Sequence, residues 1–258
     1  MNEITILGAY GTKGVGVGTS AFYIDEKNVI DAGNLLIPLG KKSAEIESIW
    51  LSHSHLDHIV DIAYILDSYF VSRKKPLKIF GLPETLLSVK EDFLNNRVWP
   101  DFASIKLLHS NEMSVEYKVI ECEKIYQISD EYTLQPYKTD HTVASCGYIV
   151  TKNKSSVIIS LDTYSLDSTI EKIDTRDDIQ TLVVECSFPS RMEQLAFDSK
   201  HLTPKLLFEK LKTMKKKEIN IYINHIKPLF LEEMTREIAL FKGGLKVKIL
   251  KDGEKIIF

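Results

Sequence analysis

The sequence predicts an α/β fold in which two mixed β-sheets pack together between outer helices. Strand-like and helix-like segments alternate along the whole chain, residues 105–160 turn mostly to strand, and no linker, repeat or low-complexity tract interrupts the pattern. Sheets with helices on the outside are the simplest way to bury such a set of apolar faces. A chain of 258 residues is long enough to do so around a substantial core, and we read residues 1–258 as one domain.

Taken in order, EITIL (3–7), TSAFYID (19–25) and NVIDAG (28–33) read as short strands separated by Gly-rich turns. GAYGTKGVGVGTS (8–20) is Gly-rich but does not run from a strand into a helix, which argues against a phosphate-binding P-loop. Thr19 and Ser20 in that stretch are minor candidates for substrate contact. ESIWLS (47–52) reads as a buried strand. Residues 57–72 then place Ile59, Ile62, Ala63, Ile65, Leu66, Tyr69 and Phe70 at the spacing of an amphipathic helix. LKIFG (77–81) is a strand, and Pro83 opens a helix in LPETLLSVKEDFLNNR. IKLLH (105–109), SVEYKVIE (114–121), KIYQI (124–128), YTLQPYK (132–138), CGYIVT (146–151) and SVIISLD (156–162) supply the β-rich middle. TLVVECS (181–187), a helix over 204–215, EINIYINH (218–225), a helix near 231–242 and the strands LKVKIL (245–250) and KIIF (255–258) complete the chain. The Lys-rich KTMKKKE (212–218) reads as the solvated end of a helix.

A net charge of -3 leaves no electrostatic footprint for coating a nucleic acid, so an extended nucleic-acid ligand is disfavoured. Cys122, Cys146 and Cys186 are too scattered for a disulfide framework or a Cys-x-x-Cys metal pair, and are expected as small buried hydrophobes in a reducing compartment. The opening MNEITILGAYGTKGVG lacks the pattern of a signal peptide, and the apolar runs are too short for a membrane helix. A soluble, cytoplasmic protein is the expectation.

One stretch carries chemistry. In WLSHSHLDHIVD (50–61) the spacing is His53-x-His55-x-Asp57-His58, at the end of a strand and the opening of a helix. Residues two apart in extended chain point to one side, so His53 and His55 can share a cation, while Asp57 and His58 can swing toward a second. Imidazole and carboxylate are ligands that zinc and similar ions accept. Completing two coordination spheres needs residues from elsewhere. His141 stands at a loop-to-strand edge, Asp162 ends the apolar strand SVIISLD, and His225 ends EINIYINH. Such strand tips converge if the strands share a sheet edge. His109 fits no ligand pattern.

The ordered set His53, His55, Asp57, His58, His141, Asp162 and His225, with SLDT after the apolar strand, resembles the metallo-β-lactamase superfamily over nearly the whole chain. That resemblance implies an αββα sandwich with the metals at one edge of the sheets. It implies His53, His55 and His141 on one divalent ion, Asp57, His58 and His225 on the other, and Asp162 bridging them. Zinc is the expected metal, with manganese or iron as alternatives. In a two-metal hydrolase a water is acidified into a nucleophile and charge on the substrate oxygens is stabilised.

Within the superfamily, HLDHI (55–59), HTVASCGYIV (141–150), VVECSFP (183–189), KHLTPKLL (200–207) and NHIKP (224–228) resemble the phosphodiesterase branches, the class II cyclic-nucleotide phosphodiesterases and ribonuclease Z. The resemblance implies that His201 protonates the leaving oxygen and Glu185 orients it, and we count Asp57 with them as catalytic. A departing ribose alkoxide needs a proton, and histidine suits that task near neutral pH. Ribonuclease Z usually carries a long tRNA-clamping arm between the third histidine ligand and the bridging aspartate, whereas here His141 to Asp162 holds only two strands and a turn. The expected substrate is therefore a small molecule, a 3′,5′-cyclic nucleotide such as cAMP or cGMP. A ribonuclease Z-like endonuclease, a thioesterase or a lactonase is the alternative. Ser145 and Cys146 are weaker candidates for pocket lining, and Tyr64, Tyr69, Phe70, Trp99 and Phe102 are better read as core than as a base-stacking wall. Hydrophobic segments between 60 and 100 are compatible with a homodimer face.

Overall fold

Short strands that are apolar on both faces must be covered on both, and this requirement generates the layers. The computed structural model describes residues 2–258. Its first sheet contains β1 (Glu3–Gly8), β2 (Ala21–Tyr23), β3 (Asn28–Ile30), β4 (Ser48–Trp50), β5 (Leu77–Gly81) and β6 (Val115–Val119). The second contains β7 (Tyr126–Gln127), β8 (Tyr132–Lys138), β9 (Cys146–Lys152), β10 (Ser155–Ile159), β11 (Ile179–Glu185), β12 (Asn220–Asn224) and β13 (Lys246–Ile249). The last strand, β14 (Lys255–Ile257), returns to the first sheet and pairs antiparallel with β1. Both sheets are mixed in the same way. The first is antiparallel from β14 to β3 and parallel from β3 to β6, and the second is antiparallel from β7 to β10 and parallel from β10 to β13.

The helices are α1 (Leu36–Leu39), α2 (Leu56–Tyr69), α3 (Pro83–Ser88), α4 (Asp167–Thr175), α5 (Glu193–Asp198), α6 (Pro204–Thr213) and α7 (Leu231–Phe241). One apolar cluster, including Ile6, Phe22, Trp50, Leu134, Tyr148 and Val183, fills the space between the sheets. A second lies between the first sheet and α2, where Ile49 and Ile79 meet Ile59, Ile62 and Leu66. A third lies between the second sheet and α4, α6 and α7, where Ile158, Leu182 and Ile221 meet Ile173, Leu211 and Met234. Burial on this scale is the main favourable term in folding. The layer order is helix, sheet, sheet, helix, as expected, and among the described residues no helix is long and apolar enough to cross a membrane.

Some local expectations shift. The amphipathic helix starts one residue early, at Leu56, and ends at Tyr69. IKLLH (105–109) forms no strand. Its chain closes on itself, with the Leu107 N–H bonded to the Glu112 carbonyl and that of Ser114 to Ile105, leaving a single bridge between Lys106 and Met113. The Lys-rich stretch begins in the last turn of α6 with Lys212 and Thr213 and runs on beyond it, where the Lys216 ammonium reaches back to the carbonyls of Arg176, Asp177 and Ile179.

Candidate metal centre

The parallel strands of both sheets end at one edge, and the chemistry-bearing residues sit just past those ends. Asp31 follows β3, the His53–His58 run follows β4, Asp162 follows β10, Glu185 ends β11 and His225 follows β12. Three of these tips turn through the left-handed region at non-glycine residues: Asp31 (φ 57°), Leu161 (φ 52°) and His225 (φ 63°). Each such residue costs on the order of 1 kcal/mol or more, and the turn folds the tip back toward the shared edge. Two glycines let the chain come close to the cluster. A Cβ on Gly33 would lie 2.0 Å from the Asp57 carbonyl, and one on Gly11 would lie 2.8 Å from His225 Nδ1.

All seven sequence-predicted ligand residues are brought together. One atom each of His53, His55, His141 and Asp162 lies within 4.8 Å of the others, and so does one atom each of Asp57, His58 and His225. Asp162 joins the two groups. One of its oxygens is 3.3 Å from His58 Nε2, 3.7 Å from His53 Nε2 and 3.9 Å from His141 Nε2, and the other is 3.3 Å from His225 Nε2. His225 Nε2 is 3.4 Å from an Asp57 oxygen, and His55 Nδ1 is 3.2 Å from His141 Nε2. Two ligands at zinc distances in tetrahedral geometry stand about 3.4 Å apart, so the spacing is that of atoms sharing a cation.

The outer hydrogen bonds decide which ring nitrogens face inward. His58 Nδ1 lies 2.6 Å from Asp31 Oδ2. The Ser52 hydroxyl donates to the same Asp31 oxygen at 2.8 Å and takes the Nδ1–H of His53 at 2.9 Å. His141 Nδ1 donates to the Lys200 carbonyl at 3.1 Å, and His225 Nδ1 to the Ser187 hydroxyl at 2.9 Å. With these four Nδ1 atoms committed, the Nε2 atoms of His53, His58, His141 and His225 are left to face the cluster, whereas His55 turns its Nδ1 inward and its Nε2 toward Thr142. His53 Nε2, His58 Nε2, His225 Nε2 and Asp162 Oδ1 are in fact buried without any hydrogen-bond partner. Buried polar atoms are rarely left so, and cations bound in the two groups would satisfy all four. The residues present fit a metal site.

The electrostatics agree for His53, His55 and His141 and run the other way for His58. Burial lowers the pKa of His53 well below the ordinary value and also lowers those of His55 and His141, which favours the neutral, ligating form. Burial acts the same way on His58, but the carboxylates of Asp162, Asp31 and Asp57 override it and hold the pKa well above normal. For Asp162 and Asp57 burial favours protonation, and the neighbouring imidazoles, His225 and His58 among them, reverse this and keep both ionised.

His201 and Glu185 lie against this cluster. One ligand-type atom of His201 is within 4.8 Å of its counterparts on Asp162 and His225. His201 Nδ1 donates to Glu185 Oε1 at 2.9 Å. Glu185 is wholly buried and also accepts from the Thr163 and Leu202 backbone N–H groups and the Ser187 hydroxyl. Burial disfavours the His201 imidazolium, yet Glu185 outweighs it and raises the pKa.

Sequence reasoning missed Asp31 and Ser187, which orient His58 and His225. The signal for Asp31 was present, an acid directly after the apolar strand NVI, the same pattern that singled out Asp162. Other candidates are packed: Thr19 donates to the Gly33 carbonyl, Ser145 pairs with Thr139, and Ser20 and Cys146 are buried. His109 is exposed, away from the cluster, against the Val71 carbonyl. Tyr64 packs edge-on against Trp99, and Phe70 against Phe102.

Comparison with known proteins agrees with this picture. Unliganded PDE1 from yeast superposes with a TM-score of 0.79 at 19% identity, covering 99% of each chain. The metallo-β-lactamase fold protein YhfI from Bacillus subtilis gives 0.77 at 18% identity, again over 99% of each chain. These likenesses establish the fold. Chloroplastic tRNase Z TRZ2 of Arabidopsis thaliana is 25% identical over 147 residues, 56% of this chain and 38% of that protein, so the chain matches well under half of this curated relative's length. The family model described as "cAMP phosphodiesterases class-II" matches residues 40–242. That match spans most of a chain with the metallo-β-lactamase fold and a buried His/Asp cluster suited to a divalent ion, and the chain belongs to the class-II cAMP phosphodiesterase family.

Proposed function

We propose that the protein hydrolyses a 3′,5′-cyclic nucleotide, cAMP or cGMP, to the 5′-nucleotide, using two divalent ions, zinc in the first instance. His53, His55 and His141 hold one ion, Asp57, His58 and His225 the other, and Asp162 serves both. When bound, such ions supply Lewis acidity that makes water nucleophilic near neutral pH and stabilises charge on phosphoryl oxygens.

The observation that carries the reading is the His201–Glu185 pair beside Asp162 and His225. With Nδ1 engaged by Glu185, His201 presents Nε2 and can deliver a proton from it to the departing O3′. Glu185 holds the tautomer and the ring orientation, and is itself fixed by Thr163, Leu202 and Ser187. Asp57 is the more exposed carboxylate of the cluster, at 29% against 2% for Asp162, and this exposure supports giving it the task of orienting the attacking water. A ribose alkoxide is a poor leaving group, so a positioned acid is what distinguishes a phosphodiesterase from a bare metal site.

A ribonuclease Z-like activity is the second reading, favoured by the partial likeness to tRNase Z TRZ2. Against it, the chain between His141 and Asp162 is the plain β9–β10 hairpin. The test is turnover of cAMP and cGMP by zinc- or manganese-loaded protein, with the 5′-nucleotide measured and bis(p-nitrophenyl) phosphate as positive control. Cleavage of the chromogenic diester without turnover of either cyclic nucleotide overturns the substrate assignment, and processing of a tRNA precursor in its place supports the second reading.

A further inference from the structure

Lys13, Lys200 and Lys227 differ in how their charge is partnered. Lys13 pairs with Asp61 at 3.7 Å and Lys200 with Asp140 at 3.4 Å. Lys227, two residues beyond His225, forms no ion pair among the described residues. Its half-buried side chain places the ammonium 3.1 Å from the Gly11 carbonyl and 5.1 Å from the centre of the Phe188 ring. Both contacts lead back to the site. Gly11 abuts the His225 imidazole, and Phe188 stands edge-on to His201 at 5.8 Å between ring centroids.

A lysine ammonium carries three N–H donors. One is directed to the Gly11 carbonyl and a second faces the Phe188 ring, a favourable but weak anchor, which leaves a third uncommitted. The surrounding charge gives that donor a purpose. The carboxylates of Asp31, Asp57 and Asp162 would offset much of the charge of two divalent ions, Glu185 is paired with His201, and the Lys13 and Lys200 charges are cancelled by their partners, so Lys227 adds an uncancelled positive charge for an anionic substrate.

We propose that Lys227 is a substrate-binding residue whose ammonium contacts a non-bridging phosphoryl oxygen and draws the anion into the site. The inference rests on the phosphodiesterase reading for its substrate class, but its chemistry is that of phosphate recognition. A point charge held by a carbonyl and an aromatic face is oriented without being neutralised, unlike a lysine in a salt bridge.

The test uses metal-loaded protein, with inorganic phosphate as the probe in isothermal titration calorimetry and bis(p-nitrophenyl) phosphate as substrate. Lys227→Met is expected to weaken phosphate binding about tenfold or more, the loss typical of one charge-assisted hydrogen bond. It should raise KM for the diester more than it lowers kcat, with metal content unchanged. Lys227→Gln keeps a donor for Gly11 and removes the charge, so it should bind phosphate as weakly as Lys227→Met, whereas Lys227→Arg should recover most of the affinity. Lys13→Met, removing a cation that already has a partner, should change each quantity by less than about twofold. Equal phosphate affinity in wild type, Lys227→Met and Lys227→Gln overturns the inference, as does a wild type that binds no phosphate. If phosphate binding depends on Lys227 while no phosphodiester is cleaved, the phosphodiesterase reading fails and this one stands.

Discussion

The two sheets are built alike and furnish the site differently. Each is antiparallel over one half and parallel over the other, and each ends its parallel strands at the same edge. The first sheet delivers His53, His55, Asp57 and His58 from one strand-to-helix turn, so local backbone geometry sets their spacing. The second delivers Asp162, Glu185 and His225 from three different strand ends, with His141 and His201 on loops beside them. There the strand register, Ile159 opposite Val183 and Glu185 opposite Asn224, sets which side chains meet. The difference separates a set of candidate ligands that one short segment can specify from a set, with its candidate proton donor, that exists only once the sheet has assembled.

Removing the residue that both halves share breaks the comparison most severely. Asp162→Ala should lose bound metal and lower diester turnover about a thousandfold or more, checked by elemental analysis alongside kinetics. Chelation of the wild type should have the same effect on turnover, and added zinc should reverse it there but not in the variant. His201→Ala, which touches only the second sheet's contribution, should lower cyclic-nucleotide turnover by about 10²–10⁴ while keeping the metal. The same variant should cleave bis(p-nitrophenyl) phosphate nearly as well as wild type, because p-nitrophenolate departs without a proton. Equal losses on both substrates would assign His201 to the metal rather than to the leaving group.

A smaller effect tests the first sheet alone. Asp31→Asn disturbs the orientation of His58 and, through Ser52, of His53, and should weaken metal binding by about 10–100-fold in competition with a chromogenic chelator, with kcat restored at saturating metal. The smallest concerns the far end of the second sheet. There Lys216 ties the segment before β12 to the one before β11. Lys216→Met should cost about 1 kcal/mol in a urea titration and leave metal content unchanged.

The same contrast explains what the sequence could disclose. SHSHLDH is legible because its whole geometry lies within one turn of chain. Asp162 and His225 are legible because a polar residue at the tip of a long apolar strand has few structural reasons to be there. Asp31 obeys that rule, but NVI is a three-residue strand, and the partner that gives Asp31 meaning, His58, lies a helix entry away. Ser187 and the Lys200 carbonyl carry no pattern at all, since a hydroxyl or a peptide oxygen becomes an orienting group only through folding. α4 and α5 escaped notice for a related reason: with only Thr169, Ile170 and Ile173 buried in the first and Ala196 in the second, their apolar periodicity is too brief to read. IKLLH failed oppositely, an apolar run whose neighbours turn it back before it can pair.

The left-handed residues at the ends of β3, β10 and β12 carry a thermodynamic consequence. These conformations cost free energy in folding, and the strand ends they shape hold the donor atoms of each group within 4.8 Å of one another. A chain that holds its donors in this way would need little reorganisation to capture a cation, and the affinity would then reflect desolvation and bond formation more than ordering. Loading should accordingly show a heat-capacity change far smaller than that of a zinc finger, whose fold forms only with its metal.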